Sequence, residues 1–160
     1  MATESDIVRG TFETDPISAL GLPTPVSIGT RATVGEALAA VQKHKRGYVL
    51  IVANDRPAGI MSERDVLMKI VARDVKYESN VAEFMSPIPA TLTNSETIAR
   101  AVNLMIETGV DNIPIVDAAG KATAVLRTLD VIHFLAEAFP EQLLNLPPKP
   151  HQALAKPEGG

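Results

Sequence analysis

Ser62 and Asp65 are the residues of this 160-residue chain whose types and spacing could best hold a ligand. They lie in the string GIMSERDV, Gly59 to Val66, between one apolar run and the start of a helical pattern. A serine three residues ahead of an acid is an ordinary helix-capping device, each side chain satisfying a backbone N–H of the other. The same hydroxyl sits among the unpaired N–H groups of a helix start, at the positive end of its dipole, where a phosphate is also welcome. A carboxylate beside it can accept two hydrogen bonds at once from the cis-diol of a sugar. On these eight residues alone both readings stand.

Other chemistry is absent from the pattern. His44, His133 and His151 are scattered without metal-ligand spacing, so no metal site is expected. The chain has no cysteine, which removes disulfides, thiolate metal sites and a cysteine nucleophile. Paired carboxylates beside a base, a G-x-S-x-G elbow and a phosphate loop ending in G-K-[ST] are missing. The expectation is a protein that is not an enzyme and requires no cofactor. A formal charge of −4 argues against a nucleic-acid groove, which needs a basic face. The longest strongly apolar run, Tyr48 to Ala53, falls far short of the ~20 residues of a membrane helix. The opening MATESDIVRG has no apolar core of a secretory signal, so a cytoplasmic location is expected.

The elements that must position Ser62 come in two copies. Setting ISALGLPTPV over VAEFMSPIPA places Pro23 on Pro87 and Pro25 on Pro89, a shift of 87 − 23 = 64. The same shift pairs Thr33 with Thr97, Ala37 with Ala101, Ile51 with Ile115 and Val52 with Val116. One extra residue in the second loop makes the shift 130 − 65 = 65, which pairs Asp65 with Asp130 and Val66 with Val131. Each copy opens with a proline-marked extended segment, which disfavours helix there. A helix follows, with Val34, Ala37, Leu38 and Val41 in one copy and Ile98, Ala101, Val102 and Met105 in the other at helical spacing. Thr33 with Glu36 predicts a capping box, whereas Thr97 can cap but Arg100 cannot close the box.

Next in each copy come an apolar strand (YVLIVA, NIPIVD), a polar turn, a second strand (AGIM, TAVL) and a last helix over 63–72 or 129–138. Near-continuous apolarity predicts strands buried on both faces. A unit of about sixty residues buries too little surface alone, so the two should close on one another. The expected organisation is a flexible N-terminus (1–15), repeat one (16–75), repeat two (76–139) and a proline-rich disordered tail (140–160). The last helices are apolar on more than one face. Leu67, Met68, Ile70 and Val71, like Ile132, Phe134 and Leu135, therefore predict a homodimer contact beyond the core.

Three strings carry a family likeness: VAEFMS, GIMSERDV and DNIPIVD. Each at its own place in a frame that occurs twice, they resemble the CBS domain, named after cystathionine β-synthase, whose tandem pairs form the Bateman module. The resemblance spans residues 16–138. It implies an α/β (α+β) fold of two βαββα repeats packed sheet to sheet with pseudo-two-fold symmetry. It also implies adenosine-containing ligands such as AMP, ADP, ATP or S-adenosylmethionine. By position it assigns Ser62 to phosphate, Asp65 to ribose and Ile60 to the base, with Met85, Ala90, Val110 and Asp111 completing the pocket from the second copy.

The second string, AVLRTLDV, departs: Arg127 replaces the hydroxyl and Ala124 the glycine, while Asp130 remains. Arg127 could pair with a phosphate, or fill the pocket and bridge to Asp130; the second is favoured. Thr24, Val26, Arg46 and Gly47, with Val125 opposite, would complete this impaired site. The resulting expectation is a stand-alone regulatory module that binds an adenine nucleotide and signals to an unknown effector protein. Its rival is a structural CBS dimer with degenerate pockets that docks a partner enzyme or transporter.

Overall fold

The computed structural model describes residues 13–138. The expected flexible start and proline-rich tail lie, for residues 1–12 and 139–160, outside the described residues. After a 3-10 turn at Ile17–Leu20 come β1 (Ser27–Gly29), α1 (Val34–His44), β2 (Tyr48–Ala53) and β3 (Arg56–Ser62). Helix α2 starts as an α-turn, Glu63–Asp65, and widens into a π-helical stretch, Val66–Val71. The second repeat has a 3-10 turn at Val81–Glu83, then α3 (Ile98–Thr108), β4 (Asn112–Val116), β5 (Ala122–Arg127) and α4 (Thr128–Ala138).

The duplication read from sequence holds in three dimensions. In the first sheet β1 runs parallel to β2, with Ile28 opposite Ile51, and β3 antiparallel to β2. In the second, Leu92 bridges Ile115 in parallel and β4 pairs antiparallel with β5. Both residues of the Leu92–Ile115 bridge lie 64 positions beyond their Ile28–Ile51 counterparts. The bulge between Ile51 and Val52 recurs between Ile115 and Val116. The hairpin turns differ as the extra residue requires. Asn54 and Asp55 both take left-handed φ (52° and 63°) in a tight turn, and Gly120 (φ 81°) takes the strain in the longer one.

One expected element is reduced. The second repeat's opening strand shrinks to the single bridge at Leu92. In repeat one Leu50 N–H donates to Val26 C=O at 2.8 Å. The residue 64 positions on from Leu50 is Pro114, which has no N–H to give, so that rung of the ladder cannot form.

Helix starts follow the capping logic. Thr33 and Glu36 close a full box on α1, and Thr97 caps α3 by accepting from Arg100 N–H without a reciprocal bond. In α2 the π-turns place Ile70 in the core and leave Leu67, Met68 and Val71 outside.

Among the described residues three apolar clusters form the interior. Val34, Ala37, Val49, Ile51, Met61 and Ile70 fill the first repeat. Ile98, Ala101, Leu104, Ile113, Ile115 and Leu126 fill the second. Tyr48, Leu50, Ile60 and Val125 join the two sheets. The repeats also exchange their opening residues. Ile17 is fully buried in the second repeat's core and Val81 in the first's. The backbone fixes this reciprocally: Ile17 N–H donates to Glu96 C=O and Val81 N–H to Ala32 C=O, while Ile98 N–H donates to Asp15 C=O and Val34 N–H to Ser79 C=O.

Tyr48, at the centre of the inter-sheet cluster, is 1% exposed, and its hydroxyl accepts from Val26 N–H at 3.3 Å. Burial pushes its phenol above the usual value of 10.0, although the Val26 N–H and the Arg46 and Arg127 charges pull the other way.

Two outcomes are expected. Ile17→Ala should cost about 2–4 kcal/mol and, in hydrogen exchange, deprotect α3 and β4 before β2 and β3, although Ile17 precedes the first repeat's strands. Because the unfolded chain releases the Tyr48 proton first, the phenol's burial costs no stability below pH 10 and lowers stability as pH rises beyond it. Denaturant titrations at pH 8.5 and 11 should therefore show a larger alkaline loss for the wild type than for Tyr48→Phe.

Candidate functional site

Strand β3 ends at Ser62 and the chain turns at once into α2, so Ser62 and Asp65 are held by the same first turn. The capping box is fully formed. Asp65 N–H donates to Ser62 Oγ at 3.2 Å, and Ser62 N–H donates to Asp65 Oδ2 at 3.0 Å. The Ser62 hydroxyl proton is also given to Asp65 Oδ2, at 3.1 Å. On the other side, Asp65 Oδ1 accepts from Ser86 Oγ at 2.9 Å and lies 3.6 Å from Lys69 Nζ. Lys69 in turn donates to Ser86 Oγ at 2.7 Å and to Phe84 C=O at 3.1 Å. Both carboxylate oxygens are thus engaged, with the side chain 17% exposed.

The corresponding acid of the second repeat is held more tightly. Arg127 Nη2 donates to Asp130 Oδ1 at 2.8 Å, Arg127 N–H to Asp130 Oδ2 at 2.9 Å, and Arg127 Nε to both oxygens at 3.2 and 3.3 Å. Arg46 reaches across from the first repeat, its Nη2 lying 3.5 Å from the same Oδ1. Arg127 Nη1 returns the contact by donating to Arg46 C=O at 3.2 Å. Arg127 fills the space beside Asp130 and bridges to it.

Between the starts of α2 and α4 lies a cleft of about 540 Å³. It brings Ser62 and Asp111 from one expected pocket together with Arg46, Gly47 and Arg127 from the other. Gly47 and Asp111 are equivalent positions, as are Ser62 and Arg127, so the pseudo-two-fold relation gathers both halves at one opening. Asp65 and Asp130 are not part of its lining. Loop and helix are pinned alike on both sides: Glu63 N–H donates to Gly47 C=O and Thr128 N–H to Asp111 C=O.

The remaining expected residues lie elsewhere. Ile60 and Val125 are buried in the inter-sheet cluster. Met85 packs on the first core so closely over Gly59 that a Cβ there would collide with it. Ala90 and Val110 pack on the second core. Thr24 and Val26 line a separate groove of about 440 Å³ with Lys43 and His44 of α1. A larger groove of about 630 Å³, with Leu38, Val41, Val66 and Tyr77 on its walls, belongs to the first repeat and its trailing loop. Glu63 and Val66 of the first string line it but no residue of the second string does, so it is a poorer site for a ligand that must report on both repeats.

Lys69 and Ser86, the partners of Asp65, are not among the residues the sequence singles out. Lys69 stands four positions after Asp65, the spacing of a helical ion pair, so a signal existed. Ser86 ends the VAEFMS string and approaches Asp65 because Ser86 and Ile60 exchange backbone hydrogen bonds, which no local pattern announces. Among the described residues no group of three or more His, Cys, Asp or Glu side chains could hold a metal ion, and no helix is long and apolar enough to cross a membrane.

Comparison with known proteins agrees with this architecture. The family model for the CBS domain matches residues 17–72 and again 81–137. The meiotically up-regulated gene 70 protein of Schizosaccharomyces pombe is 30% identical over 121 residues, 74% of this chain but 16% of that protein. The chain spans less than two thirds of the curated relatives it matches. A CBS domain protein from Pyrobaculum aerophilum, solved in complex with AMP, superposes with a TM-score of 0.70 at 22% identity, covering 82% of this chain and 99% of that one. The CBS domain pair of protein MJ0100, solved with 5′-methylthioadenosine and S-adenosyl-L-methionine, gives 0.68 at 19% identity over 75% and 98%. With two family matches in tandem, two repeats of one topology and a shared cleft, the chain belongs to the CBS-domain family as a tandem pair.

Proposed function

We propose that this CBS pair is a regulatory module, cytoplasmic and not catalytic, that binds an adenosine-containing nucleotide in the cleft between α2 and α4. The observation that carries the reading is the convergence of Arg46, Gly47 and Ser62 with Asp111 and Arg127, from opposite repeats, on one opening. A ligand touching both repeats can have different affinity for two relative arrangements of them, which is the only way binding can shift their balance. The volume falls within the usual range for small-molecule sites. The resemblance to pairs solved with AMP, and with 5′-methylthioadenosine and S-adenosyl-L-methionine, supports the adenosine part.

In this reading Asp65, which lies outside the cleft's lining behind Ser62, turns toward the cleft and exchanges Ser86 and Lys69 for the ribose hydroxyls, and Ser62 turns its proton from Asp65 to a phosphate oxygen. The exposed apolar residues Leu67, Met68 and Val71 of α2 and Leu129 and Ile132 of α4 are assigned to a second copy of the chain. An effector protein would then read the changed surface. One observation favours the alternative of a structural dimer with degenerate pockets: both string aspartates already have internal partners.

Calorimetry with AMP, ADP, ATP and S-adenosylmethionine decides between them. The wild type should bind at least one below millimolar, and Asp65→Ala should weaken it about tenfold, or 1.4 kcal/mol. No binding by the wild type would leave the structural dimer, and binding with an affinity unchanged by Asp65→Ala would overturn the assignment of Asp65 to the ribose. Sedimentation should show a wild-type dimer and a monomer for Leu67→Glu combined with Ile132→Glu.

A further inference from the structure

We infer that the cleft selects for the phosphate chain of its ligand, with Arg46 and Arg127 as the determinants, so that a polyphosphate is preferred to a monophosphate or to a cationic adenosyl compound. The inference rests on the proposed nucleotide reading for the adenosine part only. Its grounds are the charges and hydrogen-bond donors of the cleft.

Four basic side chains, Lys45, Arg46, Arg64 and Arg127, line the opening against two acidic ones, Glu63 and Asp111. The lining therefore carries a surplus of two positive charges in a chain whose formal net charge is −4. Asp130, outside the lining, is shared by Arg46 and Arg127. One carboxylate cannot neutralise two guanidiniums, so a full positive charge remains between them.

Donors remain as well. Arg46 Nε is buried beyond a ligand's reach, so what Arg46 brings to the opening is its charge. A guanidinium carries five N–H groups. Arg127 commits its Nε–H, one hydrogen of Nη2 and one of Nη1 to Asp130 and the Arg46 carbonyl. That leaves one N–H on each Nη of Arg127 for a ligand. The uncommitted N–H groups of Arg127, with the Arg46 charge beside them, match phosphate geometry, for which arginine is better suited than a hydroxyl or an ammonium. Arg127 stands where the first repeat has Ser62. The two sides of the cleft are therefore unequal: a hydroxyl on one, a cation on the other. A second nucleotide mirrored on the first would meet a filled subsite, whereas the phosphate chain of a single ligand could run from Ser62 toward Arg127. S-adenosylmethionine, with a net positive charge, would meet repulsion at the same place.

Binding is measured at constant ionic strength, without divalent cations, for ATP, ADP, AMP, S-adenosylmethionine and inorganic tripolyphosphate. The affinity should rise about fivefold with each phosphate from AMP to ATP, about 1 kcal/mol each, as expected for partly exposed charge pairs. Tripolyphosphate should compete with ATP, and S-adenosylmethionine should bind more weakly than AMP. Arg127→Ser should reduce the ATP-to-AMP affinity ratio about fivefold. Arg64→Gln, on an exposed residue whose loss does not threaten folding, should reduce it in the same direction, and Lys121→Gln, away from the cleft, should not. AMP or S-adenosylmethionine binding as tightly as ATP, or a ratio unmoved by both cleft variants, overturns the inference while leaving the nucleotide reading intact. Tripolyphosphate binding with no adenosine compound bound would do the reverse. No binding by any probe removes both.

Discussion

The structure depends on an exchange of two buried side chains. Ile17 completes the core of the second repeat and Val81 that of the first, each fixed by a backbone bond to the residue before the partner helix's cap. Neither repeat has a full core without a residue from across the interface. The two sheets are thereby held against one another, and Tyr48, Leu50, Ile60 and Val125 close the space between them. Face-to-face packing in turn brings the starts of α2 and α4 to one opening, since both helices spring directly from the last strand of their sheets. The site is a consequence of how the cores are shared.

Within that frame, polar groups are arranged to be satisfied twice. Asp65 closes a cap and holds Lys69 and Ser86. Asp130 closes a cap and gathers two arginines from different repeats. Buried or half-buried carboxylates left unpaired would cost several kcal/mol, so internal partners keep the unliganded fold stable. On the proposed function they would also set a threshold, because a nucleotide reaching Asp65 would have to displace Ser86 and Lys69. The Arg46–Asp130 contact spans the two repeats, so charge brought to the cleft acts on a tie between them. On the proposed function, binding and stability would be coupled through the same few atoms.

Much of this was legible in the sequence, and the reasons for what was not are specific. The register of 64 was written in prolines and threonines and reappears in the Ile28–Ile51 and Leu92–Ile115 bridges. The Thr33–Glu36 box and the lone Thr97 cap needed only local residues. The loss of the second opening strand had a visible cause in Pro114, which is read correctly only once the ladder partner is known. The exchange of Ile17 and Val81 had no local signal at all, because contacts between segments far apart in sequence leave no period. The site residues were mapped as two pockets, yet Ser62, Asp111, Arg46, Gly47 and Arg127 share one cleft, because corresponding positions meet across the pseudo-two-fold axis. Met85, Ala90 and Val110 went into the cores because apolar residues beside a cleft contribute more by filling the interior.

The central claim is that one ligand lies across both repeats, and crystals soaked in a nucleotide mixture address it most directly. The account predicts density between α2 and α4 in contact with residues of both repeats, with phosphates toward Ser62 and Arg127 and the Asp65 carboxylate released from Ser86. Density confined to the groove beside Tyr77 or the one beside Thr24, with the Asp65 and Asp130 contacts unaltered, would contradict it.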